Sequence, residues 1–134
     1  MSPEENLKKL IEQWLRKADD DFFLVEHLIS EEEPFLIPIA FHAQQAVEKY
    51  LKAFLTYRQI YFPKTHDIGE LLKLIATINP SLSEDLRDAD DLTDYGVEIR
   101  YPADFPDLTI EEAKQAVNLA RKVRDAILKL LPSK

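Results

Sequence analysis

The chain has 134 residues, of which 46% are hydrophobic and 31% charged. This composition is typical of one globular domain with a buried core, and we take residues 1–134 as a single domain. The absence of cysteine excludes disulfides and thiolate metal sites, and a net charge of −8 disfavours a surface that binds nucleic acid all over, although a local basic patch is compatible with it.

The N-terminus lacks the basic start and apolar run of a secretory signal. The longest apolar stretch, PFLIPIAF, is too short to cross a bilayer. We therefore expect a cytoplasmic protein that makes no use of a membrane.

The first part of the chain predicts two long helices. Apolar residues recur at helical spacing over about residues 3–30, and the acidic turn at residues 31–34 ends that pattern. The second helix is expected from about Pro38 to Tyr57, because proline is tolerated in the first turn of a helix.

Two short helices follow. A loop leads to a third helix with Thr65 or Asp67 as its cap, and this helix is expected to end at Asn79-Pro80. A fourth helix is predicted from Ser83 to about Tyr95, with its apolar residues on one side.

A third long helix completes the chain. Thr109 and Glu112 have the spacing of a capping box, so the helix should begin there and reach about Leu131. No alternating pattern predicts a strand. The expected fold is all-α, an up-and-down bundle of about five helices, three long and two short. The last helix should face inward through Ala113, Ala116, Val117, Ala120, Val123, Ile127 and Leu130.

Two polar residues interrupt apolar helix faces. Asp21 falls between Trp14 and Leu28 on the apolar arc of the first helix, and Gln44 falls on that of the second. A buried carboxylate needs a partner, because an unpaired buried charge costs several kcal/mol, roughly. The alternative for Asp21 is an edge or bend that leaves it in water.

A polar stripe lies on the opposite side of the second helix. It contains His42, Gln45, Lys49 and Lys52, together with Thr56. Spacing alone favours an ordinary solvent-facing surface. The second interpretation is a small basic groove that takes a phosphate or an acidic partner.

The histidines have no metal-binding pattern. His66 stands at the start of the third helix, where it could cap that helix, the interpretation we favour, or help to hold an anion. The three histidines lack the HExxH spacing, and no glycine-rich phosphate loop is present. We expect neither a metal nor a cofactor.

Three segments in order carry a family resemblance: "FHAQQAVEKYLKAFL", "PKTHDI" and "RYP". With these the chain resembles the HEPN domain family of prokaryotes over nearly its whole length. The resemblance implies a helical bundle that usually forms a homodimer. Many members are encoded beside a minimal nucleotidyltransferase as toxin–antitoxin-like pairs, and others are metal-independent ribonucleases.

The ribonuclease members carry an arginine followed after four to six residues by a histidine. Arg100 matches the arginine, but Phe105, Pro106 and Asp107 occupy the positions expected for the histidine. Because an imidazole is the natural proton carrier near neutral pH, the sequence does not favour catalysis.

The leading interpretation is a HEPN-type homodimeric interaction module that works with a nucleotidyltransferase and binds a nucleotide or RNA. One alternative is a ribonuclease that uses Arg100 with His66 as its proton carrier, and another is a purely structural adaptor. Homodimerisation also rests on many large apolar side chains, including Trp14, Tyr57, Tyr61, Phe62 and Phe105. The candidate ligand-binding residues are Arg100, Tyr101, Lys49, Lys52, His66, His42 and Gln45.

Arg100, in the proline-containing loop, has two possible roles. Its guanidinium can face a phosphate or pair with an inward carboxylate. Since Asp21 is the acidic residue whose helical position requires a partner, we expect Arg100 to turn inward, towards Asp21 or the Gln44 side of the second helix.

Overall fold

A computed structural model describes residues 2–96 and 107–132. Three helices in this part are long, as predicted. The all-α architecture is confirmed, with no strand in either described range. In chain order the helices are α1 (Pro3–Ile29), α2 (Leu36–Tyr57), α3 (Ile68–Ala76), α4 (Pro80–Asp85), a 3₁₀ helix (Arg87–Gly96) and α5 (Ile110–Leu130).

Helix α2 lies at the centre of the bundle. It packs against α1, α3, α5 and the 3₁₀ helix, and α4 packs against α3 and the 3₁₀ helix. Most of its circumference is buried, which fits its high proportion of apolar residues. The fully buried Leu51, Phe54, Ile75, Val123 and Ile127 illustrate how α2, α3 and α5 share one core.

Side chains at the helix starts fix where the chain becomes helical. Ser2 accepts a hydrogen bond from the Glu5 backbone N–H, and Asp67 does the same for Glu70. Thr109 and Glu112 form the predicted capping box of α5. Each such cap satisfies backbone donors that the first helical turn leaves without partners.

The fourth predicted helix is two elements. Helix α4 ends at Asp85, and the chain continues as the 3₁₀ helix, with the expected apolar side buried. Aspartate is frequent in the second element and competes for backbone hydrogen bonds, which disfavours a long α-helix. Asn79 and Pro80 do not end α3, which stops at Ala76; they start α4 as its cap and first residue.

Two further expectations need correction. Leu130, expected to face inward on α5, is 41% exposed. Helix α2 begins at Leu36, so Pro38 is its third residue, where its missing N–H costs no intrahelical hydrogen bond. Within the described residues, no helix combines the length and apolarity needed to span a bilayer.

Candidate functional site

Helix α2 carries a row of buried polar side chains one turn apart. Gln44, Glu48 and Lys52 follow each other at intervals of four residues, and their exposures are 0%, 3% and 6%. Lys52 Nζ donates to Glu48 Oε2 at 3.0 Å. The ammonium also lies 5.5 Å from the centroid of the Trp14 ring and 5.9 Å from that of Phe62, so aromatic faces support the buried cation.

The His66 imidazole is bound to this row from the loop before α3. Its Nδ1 lies 2.7 Å from Glu48 Oε1, while the side chain is 71% exposed. A carboxylate only accepts hydrogen bonds, so Nδ1 carries the proton and donates. In the neutral ring the other nitrogen, Nε2, is then an acceptor. A buried carboxylate therefore fixes the orientation of an exposed imidazole.

Gln44 connects His66 to the end of the 3₁₀ helix. Its Nε2 donates to the His66 backbone carbonyl at 2.9 Å, and its Oε1 accepts from Gln45 Nε2 at 2.8 Å. A Cβ at Gly96 would lie 2.7 Å from Gln44 Cδ, closer than such atoms can approach. Glycine is therefore needed where the 3₁₀ helix ends against Gln44.

A second polar cluster lies between α1 and α2. Asp21 is 9% exposed. Its Oδ1 accepts a hydrogen bond from His42 Nδ1 at 2.8 Å, and its Oδ2 accepts one from Lys49 Nζ at 2.5 Å. Both partners come from the polar stripe of α2. Asp21 is therefore buried with partners, as one of the two interpretations of its position required.

Tyr50 ties the same two helices to α5. Its buried hydroxyl donates to Asp19 Oδ1, which also accepts from Arg124 Nε at 3.3 Å. Burial raises the pKa of the Tyr50 hydroxyl above its usual value, and the hydrogen bond to Asp19 and its charge raise that pKa further. Tyr50 thus remains a protonated donor, with a structural role.

The structure brings the sequence-predicted residues together in two groups. His42 and Lys49 meet at Asp21, whereas His66, Gln45 and Lys52 belong to the Gln44–Glu48 row. Arg100 and Tyr101 lie outside the described residues. Asp21 does require partners, as expected, but His42 and Lys49 of α2 already supply them, so its position no longer argues for the expected contact with Arg100.

Two other expectations were wrong. The stripe of α2 is not an ordinary solvent-facing surface, because Lys52 is buried and His42, Gln45 and Lys49 are half-buried. His66 does not cap α3; the alternative cap, Asp67, does so. A helical wheel could not show these facts, since it does not reveal which neighbour a polar stripe faces.

Sequence reasoning missed Glu48, the residue that orients His66. One signal was available: Glu48 stands four residues from both Gln44 and Lys52, so the three must share a helix face. No group of three or more histidine or acidic side chains in the described part of the chain is arranged to hold a metal ion.

Comparison with known proteins identifies the family. The family model of the HEPN domain matches residues 11–131. The chain belongs to the HEPN domain family. This HEPN chain is also similar to a protein described as TT1696 from Thermus thermophilus, whose crystal structure superposes with a TM-score of 0.71. The sequence identity is 27%, and the match covers 90% of this chain and 98% of that one. A search of curated proteins found no match.

Proposed function

We propose that this HEPN chain is a homodimeric interaction module of the cytoplasm that binds a nucleotide or RNA beside His66. We propose further that it works with a minimal nucleotidyltransferase as a toxin–antitoxin-like pair. The pairing rests on the family resemblance. The ligand site rests on geometry.

The supporting observation is the Glu48–His66 contact beside Gly96. His66 is 71% exposed, yet its ring is held by a carboxylate that is 3% exposed. Ordering an exposed side chain costs rotamer entropy, and a fixed ring has already lost that freedom before a ligand binds. This makes His66 a preorganised group for recognition.

We include Arg100 in the proposed site because its position in the chain keeps it within reach of Gly96. It follows Gly96 by four residues, and four residues span at most roughly 14 Å. Gly96 and the His66 carbonyl both contact the Gln44 side chain. An imidazole, a guanidinium and the exposed Lys64 are groups that bind phosphate oxygens. A nucleotide or RNA phosphate is thus the ligand class proposed.

Fluorescence anisotropy of a labelled single-stranded RNA tests this proposal. His66→Ala should weaken RNA binding about tenfold, the effect of one hydrogen bond to a charged group. The matched control is His27→Ala, which removes an exposed histidine whose side chain pairs with Glu31, four residues further along the chain. If His66→Ala binds RNA as well as the wild-type protein, the proposed site is wrong; if the wild type binds none, the chain is a structural adaptor.

A ribonuclease is the second candidate, and the Glu48–His66 contact favours it too. The contact leaves Nε2 as an acceptor, which is what a general base requires. Because no histidine follows Arg100, we nevertheless expect no cleavage of RNA above background in the presence of a chelator. Cleavage that Arg100→Ala and His66→Ala both abolish, in folded variants, would establish the ribonuclease instead.

A further inference from the structure

The Asp21 cluster has a geometry that the proposed His66 site does not use. One carboxylate binds an imidazole and an ammonium from α2, His42 at 2.8 Å and Lys49 at 2.5 Å. Asp21 is 12% exposed at its side chain, whereas His42 is 32% and Lys49 21% exposed. The carboxylate is thus covered, while both of its partners reach solvent.

Asp21 determines which imidazole nitrogen of His42 remains available as an acceptor. Because an ionised carboxylate only accepts, His42 Nδ1 must donate to it. In the neutral ring Nε2 then keeps its lone pair. No other hydrogen bond or ion pair of His42 occurs within residues 2–96 and 107–132.

Lys49 supplies positive charge beside that acceptor. Its ammonium has three N–H donors, and Asp21 is the single hydrogen-bond partner that it has in the described part of the chain. Lys17, exposed and one helical turn before Asp21, adds positive charge on the same side of α1. Asp20 is the exposed acidic neighbour on α1, and Glu48, the acidic residue of α2, is buried against Lys52.

We propose that His42 and Lys49 bind a ribonucleotide through its 2′-hydroxyl and its 3′-phosphate. The neutral acceptor of His42 next to the cationic donor of Lys49 matches a 2′-hydroxyl next to a 3′-phosphate. A ribonucleotide carries both groups, whereas a deoxyribonucleotide lacks the 2′-hydroxyl. His42 Nε2 accepts from the 2′-hydroxyl, and Lys49 donates to a phosphate oxygen. Asp21 is a positioning residue for both.

This inference rests on the proposed nucleotide or RNA binding and adds a second contact point with a preference for ribose. The two contact points use different histidines, His66 and His42. The chain contains three histidines in all, so each imidazole can be followed separately.

The test is a nitrogen-15 NMR titration of the histidine side chains with uridine 3′-monophosphate and with its 2′-deoxy counterpart. The His42 ring signals should shift with saturation for the ribonucleotide, with affinity about tenfold higher than for the deoxynucleotide. The signals of His27 serve as the internal control and should stay in place. Equal affinity for both nucleotides would overturn the proposal.

The same titration separates the two proposals. Unchanged His42 signals with a saturable shift of His66 would sink the His42 site and leave the proposed function intact. A saturable shift of the His42 signals with unchanged His66 signals would refute the proposed site at His66 and leave the His42 site intact. If neither ring responds to either nucleotide, both proposals are wrong.

Variants distinguish ligand contact from mere structural support. His42→Asn keeps a donor near Asp21 but removes Nε2, so ribonucleotide affinity should fall to the deoxynucleotide level while deoxynucleotide affinity stays unchanged. Lys49→Met should weaken both about tenfold. Lys49→Arg, which keeps the charge, should retain binding and covers the case in which Lys49→Met does not fold. Equal losses for both nucleotides in His42→Asn would refute the 2′-hydroxyl contact.

Discussion

Glu48 shows how this fold keeps a charge in its interior. The carboxylate is 3% exposed, and Lys52, His66 and Gln44 all contact it. Burying an ion pair is favourable only when hydrogen bonds satisfy both members. The row of Gln44, Glu48 and Lys52 on α2 meets this condition, and the exposed His66 imidazole donates a further hydrogen bond to Glu48.

Removing the Glu48 carboxylate should therefore be costly. Glu48→Ala leaves Lys52 buried without its counter-ion, so we expect a loss of about 3–5 kcal/mol in the free energy of unfolding. Urea denaturation measures this loss. The control is Glu84→Ala, which breaks an exposed pair with Arg87 and should change stability by about 0.5 kcal/mol or less. Similar losses in the two variants would show that the Glu48 carboxylate does not stabilise the buried Lys52.

Tyr50 predicts how stability changes at alkaline pH. Burial, with the hydrogen bond to Asp19, raises the pKa of its hydroxyl in the folded state, whereas the unfolded chain releases this proton near pH 10. Above about pH 10 the unfolded state thus binds fewer protons than the folded state, and stability falls as pH rises. Tyr50→Phe should lose less stability than the wild type between about pH 9 and 11 in urea melts. Identical pH slopes would show that Tyr50 does not contribute.

The sequence identified the unusual residues but not their partners. Asp21 and Gln44 could be recognised because each interrupts an apolar helix face. The partners of Asp21 lie 21 and 28 residues further along the chain, and periodicity within one helix does not show which neighbouring helix it faces. His66 could be singled out, whereas its contact with Glu48 depends on how the α2–α3 loop returns to α2.

At the scale of elements, Gly96 determines how closely the 3₁₀ helix approaches α2. The Gln44 side chain against it is fully buried and hydrogen-bonded to the His66 carbonyl. That side chain cannot turn away without breaking the bond. Gly69 offers a contrast, since a Cβ there would meet the carboxylate of Asp90, which is exposed, so that water can replace its hydrogen bond from Thr93 if the carboxylate rotates.

The two glycines should therefore respond differently to alanine. Gly96→Ala should destabilise the protein by about 1–3 kcal/mol through overpacking. Gly69→Ala should cost little, because alanine has a helix propensity up to about 1 kcal/mol better than glycine and offsets the adjustment of Asp90. Thermal and urea melts of both variants test this difference. Gly96→Ala with wild-type stability would mean that Gln44 moves freely.

Element boundaries were predictable where a local signal defines them. The cap at Asp67 and the capping box of Thr109 and Glu112 are encoded within a few residues, and the structure has them. The change from α4 to the 3₁₀ helix was not predicted, because both kinds of helix place apolar residues three to four positions apart.

The whole molecule leaves large apolar side chains in water. Of the residues that suggested a dimer, Tyr61 is 85% exposed, but Trp14 and Phe62 pack edge to face with ring centroids 6.1 Å apart. The turn into α2 exposes others: Phe35 is 69% and Ile37 52% exposed, beside Leu108 in one cavity of about 430 Å³. Exposed apolar clusters of this kind mark interaction surfaces.

We expect a homodimer that uses the turn into α2. Light scattering of the purified protein should give twice the 15.6 kDa of one chain. Phe35→Glu should shift the mass towards the monomer, because a charge there would be desolvated in the interface. Tyr61 was among the residues that suggested a dimer, but it follows the opposite end of α2 in the chain, so we expect it to lie outside this interface. Tyr61→Glu is therefore the control and should remain dimeric. A wild-type mass of 15.6 kDa at micromolar concentration would exclude the dimer under those conditions.

We propose that this HEPN chain holds RNA at His66 without cutting it. An electrophoretic mobility-shift experiment with end-labelled RNA and a chelator shows retention and cleavage in the same lane. We predict a retarded band of full-length RNA with the wild-type protein, and about tenfold more protein needed for the same shift with His66→Ala. Shortened RNA fragments would show that the protein cuts RNA, and the same shift with His66→Ala as with the wild type would show that His66 does not hold it.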